Sequence, residues 1–388
     1  MICKSLLSKR EYHQIRIPCD LHGEKERFES MNFAIIGCGV IAFTHAKALE
    51  ALRGEDCVLY GACDIIPEKA DAYAAEHGVP HVYYDYHDVL ADPAVDIVCV
   101  CVPSGTHGEV CKAAAEAGKA IVCEKPMEIT PEKIADVIGV VERTHAKMQC
   151  IFQRRMMPVA IAVKQAVAEG RFGRICLAGA DLKYYRDQAY YNSAGWRGTW
   201  EQDGGALMNQ CIHNIDLLRW MMGDGVDEVM AYTDNLNHAY IQAEDLGMAL
   251  IRFSNGAYGI VEGTTNVYPH NLEETLYLFG ENGTVKAGGK SVNIIEEWDF
   301  RDGRGDPATI KMQFGENPPN VYGYGHTPLY ADMIAAIREN RAPYVDGRAG
   351  MRALELVLAI YLSAARHEPV KLPLEDCATM DFEGRFGR

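Results

Sequence analysis

Up to about Pro158, short apolar runs alternate with longer stretches whose apolar positions fall at helical spacing. The runs are Phe33–Ile36, Val58–Cys63, His81–Tyr84, Val95–Val102, 120–124 and 148–153. Between them lie Val40–Leu52, Pro67–His77, a stretch from Pro103 to Gly118, and Pro131 to about His145. Continuous apolar runs bounded by turn residues read as strands covered on both faces. Strands alternating with helices at this spacing predict a parallel, doubly wound α/β sheet.

Beyond Pro158 the pattern changes. A helix over Val159–Glu169 leads to a strand, Ile175–Tyr184, and then to a loop rich in aromatic residues: Tyr190, Tyr191, Trp196 and Trp200. A helix opens near Gly204-Gly205, with Leu207, Cys211, Ile212, Ile215, Leu218 and Trp220 at helical spacing. From Val226 to about Phe314 the signal is strands with hairpin turns at Ser254-Asn255-Gly256 and Glu281-Asn282-Gly283. Two helices follow, Pro328–Asn340 and Arg348–His367. This predicts a second, α+β domain with a mostly antiparallel sheet. The expected division is 31–153 for the first domain and 154–388 for the second. Residues 1–30, polar and non-periodic without the apolar core of a signal peptide, are expected to be an extension.

The totals narrow the function. At 388 residues the chain exceeds the usual size of one core. Its 38 Lys and Arg against 54 Asp and Glu leave a formal charge of −16, with no basic block. Nucleic acid and anionic membrane surfaces are therefore not expected as partners. Nothing approaches the 18 or so consecutive apolar residues of a membrane span. The 13 cysteines are scattered through apolar elements, as small buried hydrophobes are, and predict reduced thiols in the cytoplasm. Cys99 and Cys101 are read as a packing pair, and no cluster has metal-ligand spacing, so no metal is expected.

The first strand runs into Gly37-Cys38-Gly39-Val40-Ile41-Ala42, a G-x-G-x-x-G/A turn. The first glycine permits the tight turn, and the second lets backbone approach a pyrophosphate. The small third residue allows helix and strand to pack closely, while the helix N-terminus faces the phosphates. The second strand ends in Asp64, placed to accept hydrogen bonds from the adenosine ribose. Ile65, Ile66 and Pro67 follow, with no cation before Lys69 to meet a 2′-phosphate, so NAD is favoured over NADP.

At the end of the 120–124 strand stands Glu124-Lys125-Pro126. Proline after Lys125 keeps that lysine extended at the carboxyl end of the strand, where open α/β sheets bind ligands. Asn209 and His213 are i and i+4 on the expected helix and so share a face. Upstream, Gly204-Gly205 allow backbone to approach a ligand.

These segments together resemble the Gfo/Idh/MocA family of nicotinamide-dependent sugar and polyol oxidoreductases. The resemblance spans about Asn32 to Pro373. It rests on the Gly37–Ala42 turn, Val102-Pro103-Ser104-Gly105-Thr106-His107, Glu124-Lys125-Pro126, Gln153-Arg154-Arg155, Trp196-Arg197 and the run from Asp203-Gly204-Gly205 through His213 to Asp216. It implies a Rossmann domain followed by an α+β domain whose open-faced sheet mediates homo-oligomerisation. It also implies cofactor contacts from Gly37, Gly39, Val40, Ile41, Asp64, Val102, Pro103, Ser104, His107, Glu124, Lys125, Trp196 and Arg197. Several members have an acidic residue four positions before the active-site histidine; here that position is Asn209. Asparagine cannot accept a proton, so proton handling is expected to fall to His213 or Lys125. Asn209-Gln210 resembles the subgroup acting on C3 of pyranose rings in nucleotide sugars and glycosides.

Alcohol oxidation needs a group to take the O–H proton as hydride leaves carbon, and histidine needs almost no tuning for that work. The working hypothesis is that His213 takes the proton while Lys125 orients and polarises the hydroxyl, with Lys125 the rival base. Substrate contacts are expected from Lys125, Arg155, Tyr184, Asn209 and His213. Three functions follow. The first is an NAD-dependent dehydrogenase acting on a ring hydroxyl, with C3 preferred and inositols also possible. The second is an NAD-retaining glycosidase working by transient C3 oxidation and elimination. The third is a non-catalytic NAD-binding regulator.

Overall fold

The computed structural model describes residues 30–55, 57–223, 225–315 and 322–387. The expected extension over 1–30 therefore lies, but for its last residue, outside the described residues. The first sheet is built from β1 (Met31–Ile36), β2 (Cys57–Cys63), β3 (His81–Tyr83), β4 (Ile97–Val100), β5 (Ala120–Cys123) and β6 (Met148–Cys150). Its order is β3-β2-β1-β4-β5-β6, all parallel, so the strand order reverses between β1 and β4. The crevice above that reversal is where such sheets bind ligands. β4 is buried along its whole length, as its unbroken apolar run requires.

The helices of this half are α1 (Ala42–Ala51), α2 (Pro67–His77), α3 (Tyr86–Ala91), α4 (His107–Glu116) and α5 (Pro131–Thr144). Their boundaries follow local chemistry. α5 starts on a Thr130 side chain that accepts from the Lys133 N–H, with proline at its first position. α2 likewise begins at proline and stops at Gly78 in the left-handed conformation. Past β6 the expected strand to 153 is cut short, because Gln153–Met156 turn as a 3₁₀-helix.

The second sheet has eight strands in the order β13-β12-β11-β7-β10-β9-β8-β14. They are β7 (Ile175–Lys183), β8 (Val226–Asp234), β9 (Leu246–Phe253), β10 (Tyr258–Thr264), β11 (Glu273–Gly280), β12 (Gly283–Gly288), β13 (Ile294–Phe300) and β14 (Val370–Lys371). All neighbours are antiparallel except β7 and β10, which run parallel. Burial alternates along β9, with Ala249, Ile251 and Phe253 inside and Met248, Leu250 and Arg252 outside.

Six helices accompany this sheet: α6 (Pro158–Ala168), α7 (Gln188–Asn192), α8 (Ile212–Met222), α9 (Pro307–Gln313), α10 (His326–Arg338) and α11 (Gly347–Arg366). α7 falls in the expected aromatic loop, capped by the Asp187 side chain. α9 lies in the stretch expected as strands, capped by Asp306 and opened by Pro307. α11 packs on β8, α8 and α5, tying the second sheet to the first. Ahead of α8, Ala206–Cys211 form a π-helical turn, not the α-helix the spacing predicts.

Candidate functional site

The glycine-rich turn sits at the carboxyl end of β1. Gly37 has φ +96°, and a Cβ there would lie 2.6 Å from the Cys101 carbonyl oxygen, so only glycine lets the turn press onto the end of β4. A Cβ on Gly39 would meet nothing within 4 Å, which leaves open ground at the helix start. Among the described residues no side chain caps α1. Val40 and Ile65 are 71% and 84% exposed, two unpartnered apolar faces at the same crevice. These features fit a dinucleotide: an approachable backbone for the pyrophosphate and an apolar lip for the adenine. Asp64 stands at the end of β2, where its two oxygens accept from Cys38 N–H (2.9 Å) and Ile66 N–H (2.9 Å). Each carboxylate oxygen still has a lone pair for a ribose hydroxyl.

The segment from Val102 to His107 borders this crevice. Ser104 is buried, as is His107, whose ring nitrogens face the carbonyl oxygens of Pro126 (2.7 Å) and Val102 (2.8 Å). His107 thus braces the loops at the ends of β4 and β5 against each other, and its ring is not presented to a ligand. Glu124 also points inward. Its carboxylate accepts from Lys125 N–H (3.0 Å) and meets His45 Nε2 at 2.9 Å and His326 Nε2 at 3.8 Å. Burial pushes this carboxyl up, but the two histidines outweigh burial and hold it well below the usual range. His45, Glu124 and His326 bring ligand-type atoms within 4.8 Å of one another, a grouping of metal-ligand character that no sequence spacing revealed. With His45 held by Glu124 on one nitrogen and Tyr330 on the other (2.5 Å), it reads as a brace for the base of Lys125.

Lys125 reaches across to the second domain, where its Nζ donates to the backbone carbonyl of Asn209 (2.8 Å). The expectation that Asn209 would act through a helical face shared with His213 needs correction. The π turn shifts the register, and the group meeting the lysine is main chain. The Asn209 side chain turns the other way, donating to Asp203 and accepting from Gln210 and from the Tyr190 hydroxyl. Asp203, which opens the run to Asp216 but carries no role expected from the motif, is a site residue. It is buried, accepts from Gly198 N–H (2.8 Å), and lies close enough for its charge to act on Lys125. A carboxylate therefore does stand beside Asn209, supplied from six positions earlier. Burial pushes its pKa up to about 6.

Burial lowers the Lys125 ammonium from the ordinary lysine range, opposed by Glu124 and Asp203. His213 is also buried, its ring edge-on to Phe152 at 5.8 Å, and its Nδ1 has no hydrogen-bond partner among the described residues. Burial first, then the charges of Lys125 and Arg154, hold this imidazole well below its ordinary pKa. His213 is thus neutral at neutral pH.

Two expected substrate contacts are not brought into the site. Arg155 is buried and bound through Nε (2.7 Å) and Nη2 (2.6 Å) to Asp216. Tyr184 is buried, its hydroxyl on the Lys290 carbonyl (3.4 Å) and its ring beneath Arg186. Trp196 and Arg197 do border the site: Arg197 stacks on Trp196 and on Tyr190, and donates to the Tyr190 hydroxyl (2.8 Å). Gln210 joins the same network, accepting from Arg186 (2.7 Å) and donating to Tyr190 (2.9 Å).

Two family models match the chain. Residues 31–152 match the oxidoreductase family's NAD-binding Rossmann fold, and 164–372 match its C-terminal alpha/beta domain. The chain belongs to the Gfo/Idh/MocA oxidoreductase family. It is an α/β oxidoreductase whose first domain binds NAD. The WlbA dehydrogenase of Bordetella pertussis, solved with NADH and UDP-GlcNAcA, is 36% identical, with a TM-score of 0.81 over 90% of this chain and 99% of that one. Myo-inositol 2-dehydrogenase of Thermotoga maritima is 27% identical over 88% of this chain and 98% of its own. Levoglucosan dehydrogenase of Pseudarthrobacter phenanthrenivorans is 27% identical over 89% and 99%. Among the described residues no helix is long and apolar enough to cross a membrane.

Proposed function

We propose that this member of the family oxidises a secondary ring hydroxyl of a sugar, glycoside or nucleotide sugar, preferring C3, with NAD as hydride acceptor. One observation carries the reading: Lys125, from the end of a parallel strand, crosses to the Asn209 carbonyl in the turn that leads into the helix of His213, and its charge bears on that buried imidazole. The three relatives named above are dehydrogenases of a nucleotide sugar, an inositol and an anhydrosugar.

A bound dinucleotide would be held by the turn at Gly37–Ile41 and by Asp64, with Trp196 and Arg197 bordering the site, and would supply the acceptor for hydride. Every other part falls to the chain. Lys125 donates to the reacting hydroxyl and stabilises the charge that develops on its oxygen. Neutral His213 accepts the proton. Asn209 positions Lys125 through its carbonyl, while Asp203 holds the Asn209 amide and offsets the lysine charge.

The two domains are taken to divide at 153/154, which lies in the 3₁₀ turn after β6. A second copy of the chain is proposed to cover the open face of the second sheet, where Tyr232, Met248, Leu250 and Tyr258 stand exposed on adjoining strands. The described cysteines are all free, which accords with a reducing, cytoplasmic setting.

The test incubates the protein with NAD and a panel of glycosides, nucleotide sugars, free sugars and inositols, following NADH. NADH should appear in proportion to a 3-keto product. Glycoside cleavage without net NADH would replace this reading with the self-recycling one, and NADH binding without turnover on any sugar would replace it with a regulator.

A further inference from the structure

Buried arginines in this chain are paired with carboxylates: Arg154 with Glu274, and Arg155 with Asp216. Beside the site two half-buried arginines lack such a pairing. Arg186 and Arg197 both stack on the ring of Tyr190, at 5.0 Å and 4.5 Å, and neither has a carboxylate within 4.0 Å among the described residues. Arg186 is half-buried. Its Nη1 donates to the Tyr185 carbonyl (2.7 Å) and Asn271 Oδ1 (3.0 Å), its Nη2 to Gln210, and its Nε is sealed from solvent without a partner among the described residues. Arg197 donates from Nε to Ser193 Oγ (3.1 Å) and from Nη1 to Tyr190. A guanidinium has five N–H donors, so three of those on Arg197 have no protein acceptor among the described residues.

Two like charges on one phenol ring, with a third on Lys125 nearby, repel one another. Arg197 and Lys125 share the charge of the buried carboxylate Asp203, so the three cations are only partly offset, at a cost in desolvation and Coulomb energy. Asp203, the carboxylate whose charge acts on Arg197 and Lys125, is bonded to the Gly198 N–H and the Asn209 amide and forms an ion pair with neither arginine. Arginine is also the side chain suited to a planar or tetrahedral anion, through its fork of donors.

We propose that Arg186 and Arg197, with Tyr190 and Gln210, form a subsite for an anionic group on the carbohydrate, so that the preferred substrate is an acidic sugar derivative and not a neutral polyol. The inference rests on the ring-hydroxyl reading above. The anion is a carboxylate on the ring or a phosphate on the anomeric oxygen, which the site recognises by the same donors.

The test measures binding of methyl glucuronide, glucose 1-phosphate and methyl glucoside to the NADH-loaded protein by calorimetry, with NAD reduction followed in parallel. At least one acid should bind about tenfold to a hundredfold tighter than methyl glucoside, the usual range for hydrogen bonds to a charged group. Preference for the glucuronide marks a ring carboxylate; preference for the phosphate marks an anomeric one. Arg186→Gln should cut the acid-to-neutral ratio about tenfold, and Gln210→Glu, which sets a carboxylate against Arg186 in a different background, should cut it similarly. Arg186→Lys should keep most of it. NADH affinity in each variant reports an intact fold and crevice. Equal binding of acid and neutral sugar, an unchanged ratio in both variants, or an Arg197→Gln that weakens NADH as much as it weakens the acid would overturn the proposal. A preference that holds while no sugar reduces NAD would leave the subsite standing and remove the C3 reading; turnover without preference does the reverse.

Discussion

The chain has two glycine-led turns that open a helix, and they are put to opposite uses. At 37–41 the helix start is open: Gly39 has empty space above it, and no side chain caps α1. At 204–211 the same kind of start is filled by the protein itself. A Cβ on Gly205 would lie 2.0 Å from Glu244 Oε2, while the Leu207 N–H donates to Glu244 Oε1 (2.8 Å) and the Ala206 N–H to the Glu244 carbonyl (2.9 Å). Buried Glu244, held also by the Tyr361 hydroxyl (3.0 Å), occupies the position at which the first turn is open to a phosphate. In the function proposed above, one turn recognises a ligand, and the other is closed and carries Asn209 and His213.

The sharpest way to break this comparison is the same substitution in both turns. Gly205→Ala drives a methyl into the Glu244 carboxyl and backbone, and should cost at least about 3 kcal/mol, with unfolding moved to much lower temperature. Gly39→Ala meets no atom, so its thermal unfolding should shift by no more than about 1 kcal/mol. Yet it should weaken NADH about tenfold or more, because the backbone can no longer approach the pyrophosphate. Equal losses of stability in the two variants would mean that the turns are not different in kind.

Next come the groups the closed turn delivers. His213→Asn should lower kcat about 10²- to 10⁴-fold, with NADH affinity unaltered, the mirror image of Gly39→Ala. Since burial and two cations hold His213 well below 6.5, the acid limb of kcat/KM should fall below pH 6.5 and vanish in this variant. The alkaline limb, set by loss of the Lys125 proton, should lie below the ordinary 10.5. Lys125→Arg should push it upward. An acid limb retained in His213→Asn would transfer the base role to Lys125.

What could be read from the chain divides along the same line. The open turn was legible because its evidence is local: strand, glycines and helix lie within a dozen residues, and Lys125 is fixed by the proline beside it. The closed turn was only half legible. Spacing counts assume 3.6 residues per turn, so a π turn at Ala206–Cys211 was invisible, and with it the use of the Asn209 main chain. The partners that decide roles come from afar. Asp216 claims Arg155 across 61 positions, and Glu244 reaches Leu207 across 37. His326, from the far end of the chain, stands behind Glu124. The parallel pairing of β7 with β10 escaped notice for the same reason: hairpin turns report only antiparallel neighbours.

Glu244 offers a gentler probe of the closed turn. Burial pushes its carboxyl up to about 8 from 4.5. Below pH 4.5 folded and unfolded chains both hold the proton; above it the unfolded chain releases the proton first. The stability contributed is therefore complete at low pH and lost as pH rises toward 8, by a few kcal/mol at most. Glu244→Gln cannot titrate, so its unfolding temperature should vary less between pH 5 and pH 8 than that of the parent. A parallel fall in both proteins would show that Glu244 is ionised in the fold.

The smallest effect is expected in the open turn, at Asp64. Its two oxygens serve two different N–H groups, Cys38 within the turn and Ile66 after it. Asparagine has only one oxygen, so Asp64→Asn must leave one of those donors facing an amide N–H. The turn should loosen and NADH should bind about threefold to tenfold more weakly, the worth of one hydrogen bond. The lost charge also removes the repulsion that a 2′-phosphate would meet here, so the preference for NAD over NADP should narrow. Both effects belong to the ligand side of the molecule. The hydroxyl chemistry at Lys125 and His213 should be untouched, so kcat at saturating NAD should stay within about twofold of the parent. A fall in kcat larger than the loss of affinity would mean that the open turn, too, shapes the reacting centre.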